Sequence, residues 1–336
     1  MTKTRVAING FGRIGRLSLR ANLENDAVEI VAINDPGDIN QQAHLFKYDS
    51  VYGKFNGTVE AKGDHMLING KKIPYFSDRE PENLPWGEHN VDIVLECTGV
   101  FRDKEGASKH LKAGAKKVLI SAPGKGVDLT MCYGVNENDF DPSKHDIVSN
   151  ASCTTGGLAP ATKVIDDNFT IIHGLMTTIH SYTADQCIVD GTHKKDWRRA
   201  RAAALSIIPT ETGAAKAIGE VMPHLNGKLD GLALRIPTPT VSMVDVVFEV
   251  EKETTAEEVN AAFEKAAQGE LKGIIEVTHE PLVSMDLKGN PHSAILDAEL
   301  TKVSQGRMVK IMTWYDNEWG YACRLVDMAR KMGEKL

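Results

Sequence analysis

Only five cysteines occur in 336 residues, Cys97, Cys132, Cys153, Cys187 and Cys323, and none forms a Cys-x-x-Cys pair or joins a histidine at metal-ligand spacing. This argues against a zinc site and against a disulfide framework, and it makes reduced thiols the default. No metal is expected. Also lacking is any apolar run near the roughly 18 residues of a membrane-spanning helix. The first residues, MTKTRVAINGFG, pass straight into a strand pattern with no secretory apolar segment, so a cytoplasmic protein is expected. Neither sign of charge forms a long block: 39 Lys and Arg stand against 46 Asp and Glu, a net charge of -7. A nucleic-acid surface or a polybasic membrane surface is therefore not indicated. No internal repeat or low-complexity stretch is present.

What is there is an ordinary globular composition, 42% hydrophobic over a length that suggests two domains. The first half alternates strand-like and helix-like stretches: RVAING, RIGRLSLRANLEN, VEIVAIND, VDIVLECTG, KEGASKHLKAG and KKVLISAPG. That rhythm implies a parallel sheet with crossover helices. Near Asn150 the character changes. IIHGLMTTIHSYT, LDGLALRIPTPTVSMVDVVFEVE and MVKIMTWYDNE are alternating runs suited to a mainly antiparallel sheet, with TTAEEVNAAFEKAAQ as a helix and WGYACRLVDMARKMGEKL as a final one.

Two clusters carry chemistry. INGFGRIG places Gly10, Gly12 and Gly15 as G-x-G-x-x-G directly after a strand and at the start of a helical pattern. Such glycines allow the tight turn, the approach of backbone to a pyrophosphate, and close helix–strand packing. Asp35, 20 residues after Gly15, is placed to accept hydrogen bonds from a ribose and to repel a 2′-phosphate, which favours NAD over NADP. Arg13 pulls the other way. Thr98, Gly99 and Ser121 close later strands and so are candidates to line the cofactor.

The second cluster is SNASCTTGGLAP. Cys153 sits where a helix is expected to begin, and a helix N-terminus lowers a thiol's pKa and makes a nucleophile. Beside a dinucleotide motif, a thiol suits aldehyde oxidation, because a thiohemiacetal is a hydride donor. His180, at the end of a strand among hydroxyl residues, is the best candidate base. His173 lies at odd spacing from it, hence on the opposite strand face. For an anionic substrate, Thr212 and Gly213 open a predicted helix, and Arg235 stands on an otherwise apolar strand, where a cation without an anion is costly. KKDWRRARAAA is expected to run from loop into helix, its arginines facing solvent or another subunit. Asn317 offers an amide that can hold a carboxamide such as that of nicotinamide.

These motifs, with LFKYDSVYGKF, ECTGVF, SAPGK, IHSYT, KKDWR, TGAAKAIG, LNGKLDGLALRIPTPTVSMVD and WYDNEWGY, run from end to end of the chain. Together they resemble the phosphorylating glyceraldehyde-3-phosphate dehydrogenase family. The resemblance implies an α/β chain: an N-terminal Rossmann dinucleotide-binding domain (1–151), an α+β catalytic domain with a mainly antiparallel sheet (152–318), and a C-terminal helix (319–336) packing back on the first. It implies a homotetramer, NAD as cofactor, and glyceraldehyde 3-phosphate and inorganic phosphate as substrates, oxidised to 1,3-bisphosphoglycerate through a Cys153 thiohemiacetal and thioester. By matched motif it makes Cys153 the nucleophile and His180 its base. Arg13, Ile14, Asp35, Arg79, Ser121 and Asn317 become cofactor contacts. Ser152, Thr154, Thr183, Thr212, Gly213 and Arg235, with Arg199, become phosphate contacts. Two alternatives share these features: a dehydrogenase of erythrose 4-phosphate, and an NAD-binding protein of impaired catalysis that acts through interactions.

One stretch departs from the family, whose pattern has Asn-Cys where this chain has Gly156 and Gly157. Two glycines in a first helical turn cost about 1 kcal/mol each relative to alanine. The helix carrying Cys153 is therefore expected to begin later or to be more mobile, and the thiol one turn beyond Cys153 is missing.

Overall fold

The computed structural model describes residues 3–336. The chain divides into two compact units, one made of the residues up to Ser152 together with Ala322–Leu336, the other of Cys153–Tyr321.

The first unit is built on a nine-stranded sheet. Seven strands run parallel, in the spatial order Leu129–Thr130, Ile147–Ser149, Lys117–Ile120, Ile93–Glu96, Arg5–Asn9, Glu29–Asn34 and Lys71–Phe76. Two antiparallel strands, His65–Ile68 and Val59–Lys62, extend one edge. The central strands are apolar on both faces because both are covered: Val6, Ala7 and Ile8 are fully buried. Strand order reverses at Arg5–Asn9, which makes the carboxyl ends of that strand and of Ile93–Glu96 the expected ligand crevice. The helix Arg13–Asn25 follows the first strand and stops at Asp26, whose left-handed backbone returns its N–H to the Asn22 carbonyl. The final helix, Trp319–Gly333, buries Leu325, Val326, Met328, Ala329 and Met332 in the same core as Val6 and Ile8.

The second unit carries an eight-stranded mixed sheet, mostly antiparallel. The strand Ile171–Ser181 lies parallel to Leu229–Ile236 and antiparallel to Ser242–Val250, which pairs in turn with Met308–Tyr315. The helix Ala256–Gln268 begins with a capping box between Thr255 and Glu258. Residues 182–207 contain neither helix nor strand. The helix expected from KKDWRRARAAA is thus absent: Arg198 and Arg199 are held in turns anchored on Asp196 and Asp185, and local propensity is overridden by these contacts.

The helix bearing the thiol also differs from expectation. It runs Cys153–Phe169 and starts at the cysteine itself, through both glycines. Helix stability in a folded chain comes mainly from packing, and Thr154, Thr155, Gly157, Leu158 and Ala159 are all buried. The two glycines have different surroundings. A Cβ on Gly157 would meet the Tyr315 ring at 2.9 Å, so that glycine is where the ring reaches the helix. A Cβ on Gly156 would meet nothing within 4 Å. Pro160, four residues later in the helix, supplies no N–H to the Gly156 carbonyl.

Gly156→Ala is accordingly expected to raise stability by about 0.5–1 kcal/mol. Gly157→Ala is expected to lower it by about 1–3 kcal/mol through overpacking against Tyr315. Denaturant unfolding of both variants checks this; equal shifts of the same sign would contradict it.

Candidate active site

At the carboxyl ends of the parallel strands, the three motif glycines are each required for a separate reason. Gly10 has φ +93°, and a Cβ there would lie 2.6 Å from the Thr98 nitrogen. A Cβ on Gly15 would lie 2.1 Å from the Gly10 oxygen, so helix and strand pack through it. Gly12, at the helix start, faces open space. This is the cradle that a dinucleotide needs, tight turn and close packing below and an unobstructed approach to a helix N-terminus above. Asp35 accepts from the Phe11 and Gly37 amides at 2.8 Å each and from Gln42 at 3.0 Å. A carboxylate has about four acceptor positions, so it ties the glycine loop to the next strand and keeps capacity for a ribose hydroxyl.

Under this loop lies a buried polar network that sequence reasoning missed. Glu96 takes Asn9 Nδ2 at 2.6 Å, His110 Nε2 at 3.0 Å and the Thr98 amide at 2.8 Å, with the Thr98 hydroxyl on the same oxygen as that amide. Trp86 donates to His110 Nδ1 at 2.9 Å, which leaves the ring hydrogen on Nε2 and directs it to Glu96. Asn34 donates to Asn9 at 2.7 Å. The available signal was the polar residue at the last position of three apolar strands, Asn9, Asn34 and Glu96. Of the other expected cofactor residues, Gly99 has φ +72°, and the Ser121 amide donates to the Glu96 carbonyl. Arg13 is paired with Asp49 at 2.5 Å, Ile14 is half-buried against the core, and Arg79 is exposed.

In the second unit, the thiol and the imidazole meet. Ala151, two residues before Cys153, adopts φ 51°, a left-handed conformation uncommon for a residue other than glycine. Cys153 Sγ lies 3.5 Å from His180 Nε2. His180 is 3% exposed, at the end of its strand, while His173 on the opposite face is exposed. Parallel pairing puts His180 beside Arg235. Nδ1 of His180 lies 2.7 Å from the Ser181 carbonyl oxygen and 2.7 Å from Arg235 Nη1.

Tyr315, also unforeseen, organises the pair. Its hydroxyl bridges Thr154 and Thr178 at 2.9 Å each, and its ring stands edge-on to His180 with centroids 6.0 Å apart. The thiol helix is thereby fixed to two strands. On the far side, the Ser181 amide donates to Ser242, whose hydroxyl donates to Asn317 Oδ1 at 2.9 Å. The Asn317 carbonyl oxygen is thus oriented from the strand that carries His180.

Burial raises the Cys153 thiol above its ordinary value, against the pull of Arg235 and of the Thr154 hydroxyl and amide. The lowered thiol expected at a helix start is therefore reversed in this arrangement, because desolvation outweighs the favourable charges. Burial first, and Arg235 second, push His180 down to about 3. At neutral pH the two groups stand as thiol and imidazole. Cys132 in the core and the partly buried Cys97 packed against it are pushed up to about 12 by burial, which disfavours the reactive thiolate at either.

Of the expected phosphate residues, Thr212 Oγ1 accepts from the Ala214 amide at 3.2 Å, and Gly213 caps the helix Ala214–Val221. Thr183 donates to Asp185, and Asp185 also holds Arg199 at 2.6 Å. The Thr154 hydroxyl is turned to Tyr315. Ser152 is half-buried.

The chain is similar to known proteins over nearly its whole length. Residues 4–104 match the profile described as glyceraldehyde 3-phosphate dehydrogenase, NAD binding domain, and residues 152–317 match that of the C-terminal domain of the same enzyme. The chain is 56% identical over 331 residues to glyceraldehyde-3-phosphate dehydrogenase of Geobacillus stearothermophilus, with 98% of each chain covered. It is 55% identical to glyceraldehyde-3-phosphate dehydrogenase 1 of Bacillus subtilis (98% of each) and 55% to the Streptomyces coelicolor protein (99% of each).

The depressed imidazole has a consequence for stability. Between about 6.5, the ordinary histidine value, and about 3, the unfolded chain binds a proton that folded His180 refuses, so stability falls as pH falls through that window. His180→Gln removes this contribution. Unfolding of wild type and variant from pH 7 to 4 is expected to show a shallower acid decline in the variant, and parallel curves would contradict it.

Proposed function

The chain belongs to the glyceraldehyde-3-phosphate dehydrogenase family, whose NAD-dependent, phosphorylating oxidation of glyceraldehyde 3-phosphate is its activity, and on that premise we propose that the reaction runs through Cys153 and His180. The observation that carries this reading is the 3.5 Å approach of Cys153 Sγ to His180 Nε2 at the first residue of a helix. As the sulfur attacks the aldehyde carbon, His180 Nε2 takes the thiol proton, and thiolate and imidazolium form together, each offsetting the other's burial. The helix N-terminus and Arg235 favour the sulfur's negative charge. The imidazolium gives this proton to the alkoxide formed from the aldehyde oxygen, and in the resulting thiohemiacetal the again neutral His180 accepts the hydroxyl proton as the carbon is oxidised. The hydride acceptor would be NAD, supplied when the cofactor is bound. The thioester left on Cys153 is cleaved by inorganic phosphate: a P–O–C bond forms, the C–S bond breaks, and the thiolate is restored with release of 1,3-bisphosphoglycerate.

The cofactor contacts in this reading are Gly10, Gly12, Gly15, Asp35, Thr98, Gly99 and Ser121, the backbone at Arg13 and Ile14, Arg79, and Asn317 through its amide nitrogen. Arg235, Thr212 and Gly213 bind the phosphates. Ser152 and Thr183 assist, Thr154 does so through its backbone N–H, and Arg199 acts by holding Asp185 in place. The Asp35 carboxylate favours NAD over NADP, and the reaction belongs to the cytoplasm, where the thiol stays reduced.

Formation of NADH from glyceraldehyde 3-phosphate, NAD and phosphate tests the assignment. Cys153→Ser is expected to abolish it, and His180→Gln to lower kcat by about 10²–10⁴. Wild-type rates in Cys153→Ser would overturn the site, and turnover of erythrose 4-phosphate alone would change the substrate.

The segment 182–207 displays Ile188, Val189, Trp197, Leu205 and Ile207, with Trp197 89% exposed. So large an apolar display marks an interaction surface, and we assign its cover to further copies of the chain in a homotetramer. Sedimentation is expected to give four times the chain mass, reduced in Trp197→Glu; a monomeric wild type would contradict this.

A further inference from the structure

The antiparallel pairing of Ile171–Ser181 with Ser242–Val250 ends at Ile179 and Met243. Just before the second of these strands, Val241 has φ 65°, a left-handed conformation unfavourable for a β-branched residue. Burial of its side chain with Leu287 and Ile295 offsets that cost. Two serines then take over from the ladder. The Ser181 hydroxyl donates to the Val241 carbonyl at 2.8 Å, and the Ser181 amide donates to the Ser242 hydroxyl oxygen at 3.1 Å.

Ser242 is 1% exposed, so its hydroxyl cannot turn to solvent for a partner. A backbone N–H only donates, so the Ser242 oxygen accepts from Ser181 and its single hydrogen must go elsewhere. It goes to Asn317 Oδ1, 2.9 Å away. The opposite setting of the Asn317 amide, nitrogen toward Ser242, leaves that hydrogen without an acceptor in a place closed to water, which is costly. The network therefore sets the amide with its oxygen toward Ser242 and its nitrogen away from it.

The backbone that carries the amide is fixed separately. Asp316 Oδ1 accepts from the Thr240 hydroxyl at 3.0 Å and from the Glu318 and Trp319 amides at 3.0 and 2.9 Å, while Oδ2 accepts from the Gly289 amide at 2.8 Å. Asn317 itself is 4% exposed. Among the described residues its amide nitrogen has no hydrogen-bond partner, yet that atom is not sealed from solvent. A donor held this firmly and left open calls for an acceptor from outside the chain.

We propose that Ser242 is a positioning residue of the cofactor site, whose hydroxyl sets the Asn317 amide to offer only N–H and so selects a carbonyl oxygen as the group it holds. This rests on the reading above in which Asn317 meets the carboxamide of NAD. It adds that the oxygen of that carboxamide is the half recognised, and that the choice originates in the Ser181 amide, next to His180 on the same strand. The residue that holds the nicotinamide is thereby registered to the strand that carries the base. Without the Ser242 hydroxyl, the Asn317 amide is free to turn and to present its oxygen, which repels the carboxamide oxygen.

Equilibrium titration with NAD and with ADP-ribose, which lacks the nicotinamide, tests this without turnover. Because Ser242→Ala also leaves the Ser181 amide unpaired, ADP-ribose separates a change at the nicotinamide from a general one. Ser242→Ala is expected to weaken NAD about five- to tenfold, the worth of one oriented hydrogen bond, and to leave ADP-ribose within about twofold. In an Asn317→Ala background, Ser242→Ala should have no further effect. Unchanged NAD affinity in Ser242→Ala, equal weakening of both ligands, or full additivity with Asn317→Ala overturns the proposal. Should Ser242→Ala not fold, the wild type decides: the thionicotinamide analogue of NAD, whose sulfur is a weak acceptor, should bind several-fold more weakly than NAD, and equal affinity overturns the proposal. The two levels fail separately. If Asn317→Ala binds NAD as the wild type does, the reading of Asn317 as a cofactor contact falls; if Asn317→Ala weakens NAD while Ser242→Ala does not, only the role of Ser242 falls.

Discussion

A thiol and an imidazole, proposed above as nucleophile and base, stand 3.5 Å apart in surroundings that disfavour charge on either. Burial raises the thiol and lowers the imidazole, so moving a proton between them creates two charges where the protein solvates each poorly. The rest of the site is arranged around that difficulty. A helix start and Arg235 favour the negative charge on sulfur, while the Ser181 carbonyl accepts from the imidazolium that forms.

Such a pair works only if its two members stay in register, and they come from different elements. The thiol opens a helix and the imidazole closes a strand, and Tyr315 from a third element fastens both. Its hydroxyl holds Thr154 beside the thiol and Thr178 two residues before His180. Gly157 permits this approach, because any side chain there would meet the ring. The pair of glycines that looks like a weakness in a helix is thus resolved into two positions, one a contact requirement and the other an open site in the first turn.

Much of this was legible in the sequence, and for identifiable reasons. The alternation of strand and helix patterns, the glycine motif with Asp35, and the isolated thiol before a helical stretch are local signals. So is the parity that separates His180 from His173. What the sequence hid is long-range or collective. Tyr315 lies 161 residues from Thr154, and no local pattern marks a tyrosine that bridges two threonines. Burial reversed the direction of the thiol's pKa, and burial is a property of the packed whole. The helix expected after KKDWRR gave way to turns held by aspartates, and the helix expected to start late starts at Cys153 because its buried face outweighs two glycines. The contact between His180 and Arg235 follows from strand register, which the two sequences alone do not specify.

In the proposed reaction the oxidised substrate is carried on the sulfur of Cys153. This is tested most directly by the mass of the intact protein after mixing with NAD and glyceraldehyde 3-phosphate in the absence of inorganic phosphate, followed by localisation of the adduct. One phosphoglyceroyl group per chain on the peptide that contains Cys153, discharged on adding phosphate, is the predicted result. NADH formed without an adduct, or with an adduct on another residue, would contradict it.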